Sequence, residues 1–270
     1  MSWMVHRRRV MWAGAAFAAL PAMARAQTGA SIVTYFERLR GRLGDAGGGR
    51  FLPAAEDALL GEHNRFRAGQ ALQPLTRHPA LDLAARAQAA DMVERNYFAH
   101  EAPEGFTGVE RVGLFARRFV GLAGENLVEV MGGPPSSAEE LARLWRSSPG
   151  HRANMLRAGY SHVGFGVARK GDRTVAAAAF GESFAELAEP VAFRVGDIAS
   201  VRQTLGQRSP VRGFALAPVG GGRSVGPFWL EDPPPAIDVA GAYAIKAYLA
   251  DPTQHGRYII VDGPVIEAEG

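Results

Sequence analysis

Three short stretches concentrate side chains able to do chemistry. Tyr97-Phe98-Ala99-His100 brings an imidazole to the start of a Glu101-Ala102-Pro103-Glu104-Gly105 turn. Gly124-Glu125-Asn126 places a carboxylate and an amide ahead of the apolar Leu127-Val128. Ser147-Ser148-Pro149-Gly150-His151-Arg152-Ala153-Asn154 reads as the opening of a short helix, with Ser148 as N-cap and Pro149 at the first helical position. His151 then falls at the third position. Unpaired N–H groups and the positive end of the helix dipole disfavour imidazolium there, so a neutral ring is expected. A neutral imidazole can ligate a metal or exchange hydrogen bonds. Acyl-transfer chemistry finds no support, because Gly181-Glu182-Ser183-Phe184 lacks the second glycine of a nucleophile elbow.

The elements that must position these residues follow from periodicity. Leu59, His63 and Phe66 lie at i, i+4, i+7, with Leu60, Asn64 and Arg67 as the adjoining stripe, which predicts a first helix. On it His63, Asn64 and Arg67 sit among apolar neighbours as buried polar struts. Pro79 opens a second helix with Ala80, Leu83, Ala84 and Ala87 on one face and an Asp82–Arg86 pair on another. Ser136 with Glu139 reads as a capping box ahead of Leu141, Leu144 and Trp145 at core spacing. Val163, Phe165 and Val167 then alternate with small residues. A Lys170-Gly171-Asp172 turn follows, and Thr174 to Phe180 runs back as a partner strand. Val175 to Phe180 is apolar on both faces, as a strand covered by helices on both sides requires. The fold expected is an α–β–α sandwich with a small antiparallel sheet, class α/β.

After Pro190 the texture changes. Short strand-like runs (Val191 to Val195, Val211 to Leu216, Phe228 to Leu230, Tyr243 to Leu249, Tyr258 to Val261) alternate with Gly220 to Gly222, Pro233 to Pro235 and Pro252. This spacing, without a helical period, predicts a small all-β, sandwich-like unit over residues 189–270. Phe228, Trp229, Tyr243, Tyr248 and Tyr258 read first as its core and, failing that, as a sugar-stacking or protein-docking surface.

The N-terminus reads as an export leader over residues 1–26. Arg7-Arg8-Arg9 forms a positive region, Val10 to Ala24 is a short apolar stretch broken by Pro21, and Ala24-Arg25-Ala26 supplies a cleavage site. The run is too short for a ~20-residue span, so no retained membrane span is expected. The leader holds four of the 30 basic residues and no acid, which leaves 26 bases against 27 acids. A near-neutral mature chain gives no electrostatic case for nucleic acid. Residues 27–50 read as a spacer with a helix from Ile32 to Leu43 and a flexible Gly47-Gly48-Gly49 joint. No cysteine is present, so an exported chain must be held by its core.

Residues 51–188 resemble the CAP superfamily (cysteine-rich secretory proteins, antigen 5 and plant pathogenesis-related proteins), in particular its bacterial secreted branch. The resemblance is carried by His63-Asn64-x-x-Arg67, Tyr97-Phe98-Ala99-His100, and Pro103-Glu104-Gly105 leading to Arg111. It continues through Gly124-Glu125-Asn126, Trp145 to Asn154, and Val163-Gly164-Phe165-Gly166 with its closing hairpin. It implies an α–β–α sandwich with an open cleft lined by two histidines and two acids, which in some members hold zinc or another divalent metal. Carried over, the histidines are His100 and His151 and one acid is Glu125, with Asn126 and Ser148 beside them. Ser148 stands where the family has its second acid, so one ligand and one general base are missing. Two histidines and one carboxylate still satisfy the three-ligand rule for an open zinc site.

Three functions remain open at this point. One is a binding protein of the cell envelope, periplasmic or secreted, that engages a lipid, glycan or protein. The second is a zinc-assisted, peptidase-like hydrolase. The third is a structural adaptor.

Overall fold

The computed structural model describes residues 9–13, 31–233 and 239–269. The leader's Arg7-Arg8, the cleavage site Ala24-Arg25-Ala26, Pro234 and Pro235 lie outside the described residues. In chain order the elements begin with β1 (Arg9–Ala13), α1 (Ile32–Asp45), β2 (Arg50–Phe51), α2 (Pro53–Ala68), β3 (Thr76–Arg77) and α3 (Pro79–Arg95). They continue with α4 (Gly108–Phe115), β4 (Phe119–Met131), α5 (Ala138–Ser147), α6 (Pro149–Met155), β5 (His162–Lys170) and β6 (Arg173–Glu186). The last are β7 (Arg194–Val195), α7 (Ile198–Gly206), β8 (Val211–Pro218), β9 (Val225–Trp229), β10 (Ala240–Ala250) and β11 (Tyr258–Glu269). Among the described residues, one compact unit draws on 9–13, 37–100 and 124–180, the other on 31–36, 101–123, 181–233 and 239–269. The division falls inside α1, β4 and β6.

In the first unit the strands lie in the order β2, β5, β6, β4, with β3 beside β5 and β1 beside β4. The alternation in β5 explains the layers. Val163, Phe165 and Val167 join a fully buried cluster with Leu59 of α2, Leu141 and Trp145 of α5, and Phe180 of β6. The small residues between them face α3. A Cβ added at Gly164 would lie 2.1 Å from the Asp82 nitrogen, and one at Gly166 would lie 2.3 Å from the Ala85 carbonyl carbon. Helices therefore cover both faces of the sheet, as the apolar β6 requires.

Two carboxylates complete the hydrogen bonding of β5 between its short neighbours β2 and β3. Phe165 N–H donates to Asp82 Oδ1 (2.8 Å) and Val167 N–H to Glu56 Oε1 (2.9 Å). Arg77 in turn holds Asp82 with two bonds, and Arg86 turns to Glu56. The Asp82–Arg86 helix pair expected from spacing is thus replaced by two pairings across the fold. Capping also moves by one residue. Ser137 is the N-cap of α5 and accepts from Glu140 N–H, while Ser136 Oγ is buried with no hydrogen-bond partner among the described residues. Nor is Gly47-Gly48-Gly49 a loose joint. Gly47 (φ +68°) lies where a Cβ would sit 2.2 Å from the Ala90 carbonyl oxygen, and Arg38 donates to Asp91 nearby.

In the second unit the order is β11, β10, β8, β9, with antiparallel neighbours throughout and β7 parallel on β11. Its core gathers Val201 and Leu205 of α7, Phe214 and Leu216 of β8, Ile245 and Leu249 of β10, and Ile266 of β11. This strand-rich unit carries one helix that the expectation of a purely β region missed. The signal for α7 was present: Asp197 caps it through Ser200 N–H, and Ile198, Val201 and Leu205 recur at i, i+3, i+7. Arg117 is a second strut here. It donates to the carbonyls of Gly113, Val191, Ala192 and Val265, and burial lowers its pKa to about 10.

Candidate functional site

His100 reaches its place through the end of α3. Asn96 caps that helix in the left-handed region (φ 53°), which asparagine tolerates. The loop after it is braced three ways. Gln88 Nε2 donates to Ala99 O (2.8 Å), Tyr97 O–H to Asp91 (2.7 Å), and Arg173 Nη2 to Tyr97 O (2.7 Å). His100 is thereby brought to Glu125 of β4, with Nδ1 and Oε2 2.8 Å apart. The histidine side chain keeps 16% of its exposure and the carboxylate only 6%.

Helix α6 completes the arrangement. Asn126 Nδ2 donates to the His151 carbonyl (3.0 Å), and Asn154 Nδ2 donates to the Glu125 carbonyl and to Asn126 Oδ1. Three stretches far apart in sequence meet in one buried polar network, with His151 (1% exposed) at the third position of α6. Gly124 makes room for it: a Cβ there would lie 2.0 Å from the Tyr160 hydroxyl oxygen. Ser148 is buried at the start of α6 but gives no side-chain cap. The cap expected of its hydroxyl is not made, although Pro149 does take the first helical position.

The residues around this network are pinned by side chains on α2. Arg67, fully buried, donates to the carbonyls of Gln73, Met155, Arg157 and Tyr160. Asn64 exchanges two hydrogen bonds with the Leu75 backbone. His63 bonds the Leu59 carbonyl through Nδ1 and meets Trp145 edge-on, with ring centroids 5.5 Å apart. Burial lowers the His63 pKa to about 4. Its Nε2 and Trp145 Nε1 are buried without hydrogen-bond partners among the described residues. His78 caps α3 by accepting from Ala80 N–H, so it has a local structural task.

A zinc ion would need three ligands free to converge. Glu125 Oε2 is instead bonded to His100 Nδ1. Among the described residues no group of three or more His, Asp or Glu side chains is arranged to hold a metal. The side chains as placed do not fit a zinc centre, and no chemical step is derived through one.

Residues 60–180 match the family model described as CAP, cysteine-rich secretory protein family. Over these residues the chain is similar to that family. The chain is 33% identical over 118 residues to the uncharacterized protein YkwD of Bacillus subtilis, a match covering 44% of each chain. It thus spans less than half the length of that relative. Among solved structures, similar chains include an outer surface protein from Borrelia burgdorferi, at 19% identity and TM-score 0.43, covering 50% of this chain and 98% of that one. Another is an extracellular protein containing an SCP domain from Bacillus anthracis, at 24% identity and TM-score 0.39, covering 48% and 40%.

Proposed function

We propose that this is an exported binding protein of the cell envelope whose CAP domain engages a lipid, glycan or protein through the His100–Glu125 pair. The leader features in residues 1–26 support export, and no helix among the described residues is long and apolar enough to cross a membrane. The observation that carries the binding reading is the 2.8 Å bond between a partly exposed imidazole and a nearly buried carboxylate. An ionised Glu125 only accepts, so it fixes the proton on Nδ1 and leaves Nε2 an acceptor in the neutral ring. Such an orientation favours recognition of one donor geometry. The same pairing could orient a general base, which keeps hydrolysis as the competing reading.

The purified mature chain is offered three partners in separate arms. These are vesicles of the producing cell's envelope lipid, its isolated sacculi, and its solubilised envelope proteins under crosslinking. One arm retains the protein, and His100→Ala and Glu125→Gln each weaken that retention about tenfold, as loss of a charge-assisted hydrogen bond implies. Equal retention by both variants, or retention in no arm, overturns the reading. Peptide hydrolysis abolished by His100→Ala replaces it with the hydrolase.

A further inference from the structure

The second unit presents a face opposite its core. Along β10, Ile245, Ala247 and Leu249 enter the core, so Lys246 and Tyr248 point the other way. Strand register places Tyr248 opposite both Gly213 and Ile260, and Gly213 opposite Trp229. These four residues form one row across the sheet. Gly213 is the position where a side chain would destroy it: a Cβ there would lie 2.6 Å from Trp229 Cε3. The indole therefore lies over the glycine and meets Tyr248, with ring centroids 5.6 Å apart. Tyr258 closes the group at 4.7 Å from Trp229. Tyr258 and Ile260 are 43% and 54% exposed, which is unusual for large apolar groups in this chain.

Beside the rings lies a cavity of about 360 Å³, whose lining includes Arg212, Trp229, Glu231, Gln254, Arg257 and Tyr258. That size falls within the ~300–1,000 Å³ of small-molecule sites. Among the described residues the Arg212, Glu231 and Arg257 side chains make no hydrogen bond or ion pair. Asp251 also lines the cavity, so two arginines face two acids and their charges balance. A nucleic acid or anionic lipid would call for net positive charge, and an apolar peptide would leave these polar groups desolvated without partners.

We propose that this pocket binds a neutral oligosaccharide. The C–H face of a pyranose carries partial positive charge that suits the negative face of an aromatic ring, here Trp229 and Tyr258. Its hydroxyls both donate and accept, which matches a lining that offers arginine donors and carboxylate acceptors together. The site is independent of the His100–Glu125 pair.

Tryptophan fluorescence reads it directly in the mature chain, where Trp145 is fully buried and Trp229 is partly exposed. The chain is titrated with an N-acetylglucosamine tetramer and with cellotetraose, and with a galacturonate tetramer as the anionic comparator. A saturable change with a neutral tetramer is expected, weakened at least tenfold in Tyr258→Ala and kept in Tyr258→Phe. Both variants should melt as the parent does, because Tyr258 is half exposed. No saturable response to either neutral tetramer overturns the proposal. So does equal binding by Tyr258→Ala, or preference for the anionic sugar.

Discussion

The two polar groupings of this chain differ in how much of their bonding is internal. Around His100 and Glu125 the side chains bond to one another and to backbone: Asn126 to His151, Asn154 to Glu125 and Asn126, Gln88 to the loop before His100. Around Trp229 the polar side chains of Arg212, Glu231 and Arg257 have no partners among the described residues, and the rings are partly exposed. The first arrangement is preorganised: little order remains to be lost on binding, and substitutions there should damage the fold as well as the site. The second leaves its bonding capacity for something else, and substitutions there should change binding alone.

The largest expected effect breaks the strut under the first grouping. Arg67→Met removes the donors for four carbonyls and should cost about 3–5 kcal/mol of stability, read by urea unfolding of the mature chain. Asn154→Ala, which leaves the Glu125 carbonyl and Asn126 Oδ1 without that donor, should cost about 1–3 kcal/mol. Parent-like unfolding midpoints in both variants would mean the network is not as tightly built as its geometry implies.

The pH dependence of the first unit isolates His63. Its folded pKa near 4 lies below the ordinary 6.5, so between these values the unfolded chain binds more protons. Its contribution is therefore fully present above pH 6.5 and lost as pH falls toward 4. Between pH 7.5 and pH 5 the loss should be roughly 2 kcal/mol. His63→Phe should remove that slope while filling the same space beside Trp145. An unchanged slope in the variant would assign the pH dependence to other groups.

The smallest effects are expected at the second grouping and at Ser148. Trp229→Ala should change stability by less than about 1 kcal/mol, since the ring is only partly buried. Ser148→Ala should be neutral within about 0.5 kcal/mol, because the hydroxyl makes no capping bond. A loss approaching that of a true N-cap would show that Ser148 does cap α6 in solution.

What could be read from the chain alone follows physical range. The faces of β5 were legible because alternation of Val163, Phe165 and Val167 with small residues is local. The placement of α5 was nearly so, missing its cap by one serine because Ser136-Ser137 with Glu139-Glu140 offers two registers of the same motif. Helix α7 was overlooked although Asp197, Ile198, Val201 and Leu205 carry its signature. The bonds of Asp82 and Glu56 to β5 were not legible, since they join helices to a strand more than eighty residues away, and they draw in Arg77 and Arg86 as partners. The same limit applies at the His100–Glu125 pair. Motif order named His100, Glu125 and His151 together, but only coordinates reveal that Glu125 bonds the His100 ring while His151 is tied in through its carbonyl.

The most direct test of the His100–Glu125 pair as the working unit of the site is a zinc titration by calorimetry. It uses mature protein purified without chelator or histidine tag, beside His100→Ala. The arrangement of Glu125 on His100 predicts no stoichiometric uptake at micromolar zinc and identical traces for both proteins. One zinc bound per chain, lost in His100→Ala, would contradict it and restore a metal centre built from His100, Glu125 and His151.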